Sequence, residues 1–328
     1  MTIKNVAIIV PIGGVLSGIE MVRHLFNEAN DYLVTLGREQ LFRVKLTGAT
    51  RHVSLNDGLF SVRMDATIDE SGPVDLIIIP ALYMDVETHL SQNEALIGWV
   101  AEQYARGAEV ASLCVGAFLL AKTGLLDGRQ CTTHWKAAHH FKRMFPGIAL
   151  VKEKIITDEQ GIYSSGGGLS MLNLMIYLVE KHAGREVAIY CAKFFQVDIE
   201  RSTQTPFIIF QGQKEHSDEQ IKKAQTYIES NFAGRISVDQ LAEMLALGRR
   251  SLERRFKKAT SNTLNEYIQR VKIEAAKKHL ESGERKINDI MSEVGYSDTK
   301  AFRSSFKSIT GLLPAQYRTK YNKRAVGL

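Results

Sequence analysis

The sequence predicts two domains of different class: an α/β domain with a doubly wound parallel sheet, followed by an all-α domain with two helix-turn-helix units. Three observations lead there. The 328 residues suffice for two hydrophobic cores at about 150 residues per domain. In the N-terminal part, short β-branched runs alternate with amphipathic helical stretches, the pattern of buried parallel strands joined by crossover helices. In the C-terminal part the pattern is wholly helical and basic. From Lys214 to Leu328 the chain carries 23 Lys and Arg against 14 Asp and Glu, a balance of +9, whereas the remainder carries 19 against 22, a balance of −3. A basic module on a mildly acidic one predicts a polyanion partner for the C-terminal part alone.

The totals exclude several classes. A composition of 45% hydrophobic and 24% charged residues is that of a soluble globular protein. No apolar run reaches the roughly 18 residues that cross a bilayer. The opening MTIKNVAIIVPIGG reads as a strand entering a glycine turn, not as a signal peptide, so a cytoplasmic protein without a membrane partner is expected. Cys114, Cys131 and Cys191 form neither a C-x-x-C pair nor an even framework, so no disulfide, no metal site and no other cofactor are expected.

Taken in order, VAIIV at 6–10 is a continuous β-branched run stopped by Pro11, Gly13 and Gly14, a buried parallel strand ending at a turn. Residues 18–30 have helical spacing in Ile19, Val22, Leu25 and Phe26. Residues 33–36 form a second strand candidate, and the near-alternation at 58–65 and 67–69 reads as edge strands or a hairpin. LIIIP at 76–80 is another buried strand, 94–106 an amphipathic helix, 109–114 a strand and 117–123 a helix. Residues 186–196 close the domain as a helix.

The stretch SLCVGAF at 112–118 runs a buried strand straight into a helix, with Cys114 at the junction and small residues, Ser112 and Gly116, two positions to either side. Those neighbours suit a strained strand-to-helix elbow. The cysteine then sits where helix amides favour a thiolate and line an anion site. The alternative is a buried, inert cysteine. Around it the sequence offers a pocket of Gly13, Gly14, Glu20, Cys114, Val115, His134, Trp135, Gly166 and Gly167, with the Gly166–Gly168 triplet opening a helix N-terminus. His134 also reads as a hydrogen-bonded structural residue beside Trp135, and the triplet as a device for tight packing.

ASLCVGAFLLAKTGLLDGR from Ala111, TTHW at 132–135 and YSSGGGLSMLNLMIYLVEKHAG from Tyr163 together resemble the PfpI-like, glutamine-amidotransferase-like domain that opens a large group of bacterial transcription regulators. The resemblance covers about the first 200 residues and implies a flavodoxin-like, doubly wound fold. Enzymes of that family use the elbow cysteine as nucleophile with a histidine as base, often the next residue; here that residue is Val115. The family's acid after the first strand is also displaced, Glu20 being the candidate and Gly18 occupying the expected place, and Asn173 stands where many regulator relatives carry Asp. A nucleophile without a base within reach is not activated. A non-catalytic domain for sensing or dimerisation is therefore expected, with Cys114 as the one catalytic candidate. The alternative is an active cysteine-dependent amidase or hydrolase tethered to the second domain.

A polar, aperiodic stretch at 211–220 and the Pro206 and Gly212 breakers put a linker at 201–217, with FIIF at 207–210 too apolar to be free. From residue 218, Ile221, Ala224, Ile228 and Phe232 mark one helix, and Ser237 with Gln240 reads as a capping box for the next. A turn at Gly248 leads to RRSLERRFKKAT; after a long helix at 265–280 the plan recurs as 287–294, a turn at Gly295, and a basic helix at 298–308. Two helix-turn-helix units, near 237–260 and 287–310, are joined by one helix.

The run LxRRFKK at 252–258, Tyr267, Arg270, Ala275 and Leu280, then GYSDxxxFxxxFK from Gly295, Gly311, Pro314, Tyr317 and Arg318 resemble the DNA-binding domain of the AraC/XylS family over residues 218–322. Departures are Met291 for the usual alanine, Leu313 for Ser or Thr, and Gly248 for a serine cap. The resemblance implies that Arg250, Glu253 and Arg254 of the first unit, and Thr299, Lys300, Arg303 and Ser304 of the second, face base edges. Arg249, Lys257, Lys258 and Lys307 read as phosphate contacts. Expected partners are double-stranded promoter DNA, a small-molecule effector, a second copy through the N-terminal domain, and RNA polymerase if the protein activates. Such a regulator acts on a catabolic or metabolic operon.

Overall fold

A computed structural model describes residues 2–283 and 285–322. The chain divides into two compact units, Met1–Gln204 and Thr205–Leu328.

The first unit begins with β1 (Lys4–Ile9), α1 (Leu16–Thr35), β2 (Phe42–Gly48), the hairpin β3 (His52–Leu55) and β4 (Phe60–Arg63), and β5 (Ala66–Thr67). It continues with β6 (Leu76–Ile79), α2 (Val86–Gln92), α3 (Glu94–Ala105), β7 (Glu109–Leu113), α4 (Ala117–Lys122), β8 (Gln130–Cys131), α5 (Ala138–Met144) and β9 (Ala149–Leu150). The antiparallel pair β10 (Ile156–Glu159) and β11 (Ile162–Ser165), then α6 (Ser170–Ala183) and α7 (Arg185–Phe194), complete it. The main sheet has the order β10-β11-β7-β6-β1-β2-β5 and is parallel except at β10. In register, Val6 lies between Val44 and Leu76, and Ala111 between Ile78 and Tyr163.

Each central strand is buried on both faces, which is why its sequence is a continuous apolar run. Alternation along β1 assigns the faces. Val6 and Ile8 pack with Ile19, Val22 and Phe26 of α1 and with Leu174, Leu178, Val187 and Cys191 of α6 and α7. Ala7 and Ile9 pack on the other side with Leu90, Val100, Phe118 and Phe141 of α2 to α5. The sheet is doubly wound, with strand order reversing between β1 and β6.

One expected element is corrected. Residues 33–36 are the last turn of α1, because Leu33 extends the buried helical stripe of Ile19, Val22, Phe26 and Ala29. Gly37, at φ +70°, follows that turn. The second strand begins only at Phe42.

The second unit comprises α8 (Glu219–Asn231), α9 (Val238–Met244), α10 (Arg249–Thr260), α11 (Leu264–Ser282), α12 (Ile287–Glu293), α13 (Thr299–Thr310) and α14 (Pro314–Tyr321). It holds two cores. Ile221, Ala224, Ile228, Leu241, Leu252, Phe256 and Tyr267 form one; Ile273, Ala276, Leu280, Ile290, Phe302, Phe306 and Tyr317 form the other. The second repeats the first further along the chain, down to its polar contacts: the Tyr267 hydroxyl donates to Glu229 Oε1 (2.7 Å) and the Tyr317 hydroxyl to Glu281 Oε1 (2.5 Å).

Local signals resolve with small differences. Ser237 Oγ accepts from the Gln240 N–H at 3.1 Å, but the Gln240 side chain donates to the Tyr227 hydroxyl at 3.0 Å, so only half of the expected capping box forms. The full box is at Thr263 and Glu266, starting α11. In the first helix-turn-helix the left-handed residue is Ala246 (φ +52°), while Gly248 caps α10 in extended conformation. In the second, Gly295 takes the left-handed position at φ +77°. The stretch 201–217 does not stand apart from the two units. Gln204 is buried in the first, and Thr205–Phe207 form a 3-10 turn on the second, held by a Tyr321 hydroxyl bond to the Pro206 carbonyl (3.0 Å) and by Lys277 Nζ on the Ile208 carbonyl (2.8 Å).

Candidate nucleic-acid interface and effector site

The interface starts from helix periodicity. In α10, Leu252, Phe256 and Thr260 recur every four residues and are fully buried; in α13, Phe302, Phe306 and Thr310 do the same. Each stripe pins one face of a basic helix, and truncating one of the phenylalanines costs about 3–5 kcal/mol. The opposite faces carry Arg249, Arg250, Glu253, Arg254, Lys257 and Lys258 on α10, and Thr299, Lys300, Arg303, Ser304 and Lys307 on α13, all exposed. Asp298 caps α13 by accepting from the Ala301 N–H at 2.6 Å, which fixes where Thr299 and Lys300 begin.

Three charges of α10, Arg249, Glu253 and Arg255, are engaged within the protein. Arg249 pairs with Asp239 (3.2 Å) and with Glu253 (3.3 Å), exposed contacts worth at most about 1 kcal/mol that a phosphate can displace. Arg255, inside the same basic run, turns away from it. Its guanidinium makes a two-pronged pair with Asp218 (2.7 and 2.8 Å), the N-cap of α8, and hydrogen bonding to Arg255 holds the Asp218 carboxyl below the usual carboxylate range.

In the first unit the loops that follow β1, β6, β7 and β11 gather at the carboxyl edge of the sheet, where open α/β sheets bind ligands. Cys114 leaves β7 at φ +56°, a left-handed conformation rare for a residue with a side chain. Gly116 makes that bend possible, since a Cβ there would lie 2.4 Å from the Pro80 carbonyl oxygen. The Thr133 hydroxyl donates to the Cys114 carbonyl at 2.7 Å, tying the Thr132–Trp135 segment to the elbow. The Cys114 thiol is half-buried. Burial pushes its pKa up, and the backbone amides of Gly168 and Val115 pull the other way without reversing it.

His134 is fixed in orientation by its neighbours. Its Nδ1 accepts from the Lys136 N–H at 3.0 Å, its ring stands 5.3 Å from that of Trp135, and burial followed by the nearby Lys136 charge lowers its pKa. The ring also fills the space that a Gly167 side chain would need, 2.2 Å from the ideal Cβ. Gly13, at φ +77°, packs in the same way on His89, and Gly14 bridges to Leu82. Val115 is buried in the core behind the elbow.

Glu20 is corrected. It lies on the solvent side of α1, paired with Arg23 at 2.8 Å, and that hydrogen bond lowers its carboxyl. Gly18, two residues earlier, is the buried position of that turn and faces Met171 of α6, whose sulfur would be 3.8 Å from an added Cβ. Asn173 is structural as well, donating to the Asp198 carbonyl at 2.7 Å.

Three residues here escaped sequence reasoning. Gln204 accepts from the Gly167 N–H and donates to the carbonyls of Thr133 and Lys152; Ser165 Oγ accepts from the Cys114 N–H; and Asn93 clamps both polar groups of the Ile12 backbone. Gln204 and Asn93 belong to no motif, and Ser165 lies in the YSSGGG stretch, where the glycines drew the attention. Ile12, Tyr83, Met84 and Leu169, on the loops after β1, β6 and β11, add large exposed apolar side chains to the same edge.

The helix-turn-helix domain family matches residues 241–320 and the DJ-1/PfpI family residues 23–181. The chain belongs to the AraC-type transcriptional regulators with an N-terminal DJ-1/PfpI domain. This regulator is 25% identical over 272 residues to the HTH-type transcriptional regulator GbdR of Pseudomonas aeruginosa, a match spanning 82% of this chain and 72% of the relative. It is 33% identical over 116 residues to an uncharacterized HTH-type transcriptional regulator in the cgkA 5' region of Pseudoalteromonas carrageenovora, covering 33% of this chain and 69% of that one. The fold of its first unit is that of Drosophila melanogaster DJ-1beta, with a TM-score of 0.50 at 16% identity over 60% of this chain and all of that one. Among the described residues of the regulator, no helix is long and apolar enough to cross a membrane, and no three His, Cys, Asp or Glu gather as a metal set.

Proposed function

We propose that this transcriptional regulator reads two successive major-groove segments of promoter DNA with α10 and α13, and that its DJ-1/PfpI domain is a non-catalytic sensor of a small molecule. The observation that carries the first part is the shared design of the two helices: buried four-residue stripes hold them, and the eleven assigned side chains all face water. Arg250, Glu253 and Arg254 of α10, and Thr299, Lys300, Arg303 and Ser304 of α13, read base edges; Arg249, Lys257, Lys258 and Lys307 take phosphates. An arginine fork matches guanine O6 and N7, and a glutamate accepts from the cytosine amino group.

The sensor assignment rests on the elbow. A nucleophile needs a base, and the groups that act on the Cys114 thiol are backbone amides. Amide donors, a left-handed turn and an apolar rim suit reversible capture of a small molecule with an anionic or carbonyl end. The strained φ of Cys114 favours the enzymatic alternative. Homodimerisation through the N-terminal domain, a cytoplasmic, nucleoid-bound location and RNA polymerase as a partner complete the proposal.

The test is selection of bound sequences from random duplexes by the full chain. Arg254→Ala and Arg303→Ala are each expected to relax choice at separate positions about one helical turn apart, costing roughly 1–3 kcal/mol apiece. If the double variant selects the same sequence with unchanged stringency, the assignment of reading heads is wrong. For the sensor, a thermal-shift screen of small carboxylates and amines should find a stabilising compound whose effect Gly167→Ala abolishes. Turnover of an amide or ester that Cys114→Ser eliminates would instead establish the enzyme.

A further inference from the structure

Within the second unit, residues 206–213 run across both helix-turn-helix cores. Pro206 sits on the second core, where its carbonyl accepts from the Tyr321 hydroxyl at 3.0 Å. Phe210 packs on the first, its ring 5.0 Å from that of Tyr267. The segment is also held by one residue from each repeat. Gln225 of α8 stands four residues before Glu229, and Lys277 of α11 stands four residues before Glu281, the two glutamates that accept the tyrosine hydroxyls. Both are buried, Gln225 at 0% exposed and Lys277 at 3%. Gln225 Nε2 donates to the Gln213 carbonyl at 3.0 Å, and Lys277 Nζ donates to the Ile208 carbonyl at 2.8 Å. Corresponding positions of the two repeats thus grip one continuous piece of backbone.

Apart from this segment, the two cores are joined by α11 and by Phe232, which packs on both. A single helix can bend, and modules carried on it would swing with the bend. A second connection removes that freedom only where it is firmly anchored. Here the anchor includes a buried ammonium, which is tolerated because Glu274 pairs with it at 2.7 Å. The same carboxylate oxygen accepts from the Phe210 N–H at 3.1 Å, so one ion pair fixes the segment at two backbone groups. Gly212 completes the hold. At φ +70° it passes so close to the Tyr267 hydroxyl that a Cβ would lie 2.5 Å from it.

We propose that residues 206–213 form a brace that fixes the spacing and the angle between the two reading heads, with Gln225 and Lys277 as its positioning residues. The proposal rests on the assignment of α10 and α13 as those heads. Its consequence is a strict choice of spacing. Heads held rigidly apart accept one separation of their two DNA segments, whereas heads that swing about α11 accept several.

The experiment uses the full chain and the duplex selected from random sequence, with one base pair added or removed midway between the two selected segments. Each change turns one segment against the other by about a tenth of a turn. Because the DNA must twist to realign them, wild type is expected to lose at least about tenfold in affinity at either altered spacing. Two variants loosen the brace without touching the exposed faces of α10 or α13. Lys277→Met with Glu274→Leu replaces the buried pair by apolar side chains, a change that cores tolerate, and Phe210→Ala frees the segment from Tyr267. In each, the loss at altered spacing should shrink to at most about threefold while the bases preferred within each segment stay the same. If one variant does not fold, the other decides. A wild type indifferent to spacing, a variant that keeps the full loss, or one weakened equally at every spacing overturns the proposal. The last result would be that of a merely structural role. Failure of the reading-head assignment looks different: Arg254→Ala with Arg303→Ala would then leave the selected sequence unchanged.

Discussion

Replacing Lys257, Lys258 and Lys307 together by alanine removes three exposed cations assigned to phosphate, without touching a residue assigned to a base. Each neutralised phosphate contributes about −0.9 to the slope of log K against log salt on B-form DNA, so the triple variant should lose about 2.7 of that slope. Raising salt fourfold would then cost wild type about 40-fold more affinity than it costs the variant. Arg249 behaves differently because Asp239 and Glu253 already sit against it. Binding DNA exchanges those partners for a phosphate, so Arg249→Ala should change the slope by well under one, and Asp239→Asn should steepen it. The assay is fluorescence anisotropy of a labelled duplex carrying the selected site, titrated at four salt concentrations. A triple variant whose slope stays within about 0.5 of wild type refutes the phosphate assignment. A change in which sequence is preferred does so as well, because phosphate contacts carry no base information.

Two further outcomes follow from local geometry. Gly295→Ala places a Cβ 2.2 Å from the Ala233 carbonyl oxygen at φ +77°, which should destabilise the second unit by about 2–4 kcal/mol in urea titration, whereas Ala246→Gly at the corresponding turn should be neutral or slightly stabilising; equal effects would refute the repeat. Burial opposes ionisation of Glu109, but hydrogen bonds from His182, Lys181 and Tyr163 outweigh it and hold the carboxyl at about 2. A lowered carboxylate stabilises above its unfolded value and loses that contribution as pH falls. Glu109→Gln should therefore melt lower than wild type at neutral pH, by up to about 3 kcal/mol of stability, and the gap should close between about pH 4.5 and 2. A gap that persists at low pH would mean that the loss is packing, not charge.

What was legible in the sequence depended on periodicity. VAIIV and LIIIP could be read as buried strands because both faces of the sheet are covered, and the phenylalanine stripe of α13 could be read because residues four apart share a helix face. The four residues LVTL at 33–36 misled because an apolar run that short fits a strand or a helix equally, and only the preceding stripe decides. Glu20 was misplaced for a related reason: one residue beyond the buried Ile19 is a turn of about 100°, enough to bring it to the surface. Two-residue strands such as Gln130–Cys131 and Ala149–Leu150 have no period to detect. Gln204 and Arg255 were beyond reach because their roles come from tertiary partners, and in sequence one is a polar residue in a breaker-rich stretch and the other is a charge among charges.

The duplication of the C-terminal unit also distinguishes the two proposed heads by their charge. The repeat keeps the packing residues, Leu252, Phe256 and Thr260 answering to Phe302, Phe306 and Thr310, and changes the exposed ones. Where the first head has Arg249, Arg254 and Lys258, the second has Thr299, Ser304 and Ser308. Hydroxyls bind only at hydrogen-bond distance, whereas charges act over several ångströms and tolerate small displacements. On the proposed assignment the second head, with Lys300, Arg303 and Lys307 against the five cations of the first, would hold DNA with fewer long-range contacts and a larger share of short-range ones, so a shift of a fraction of an ångström would weaken it more than the same shift would weaken the first. On that assignment the denser charge of α10 would keep the regulator on the duplex while the contacts of α13 decide which sequence it holds.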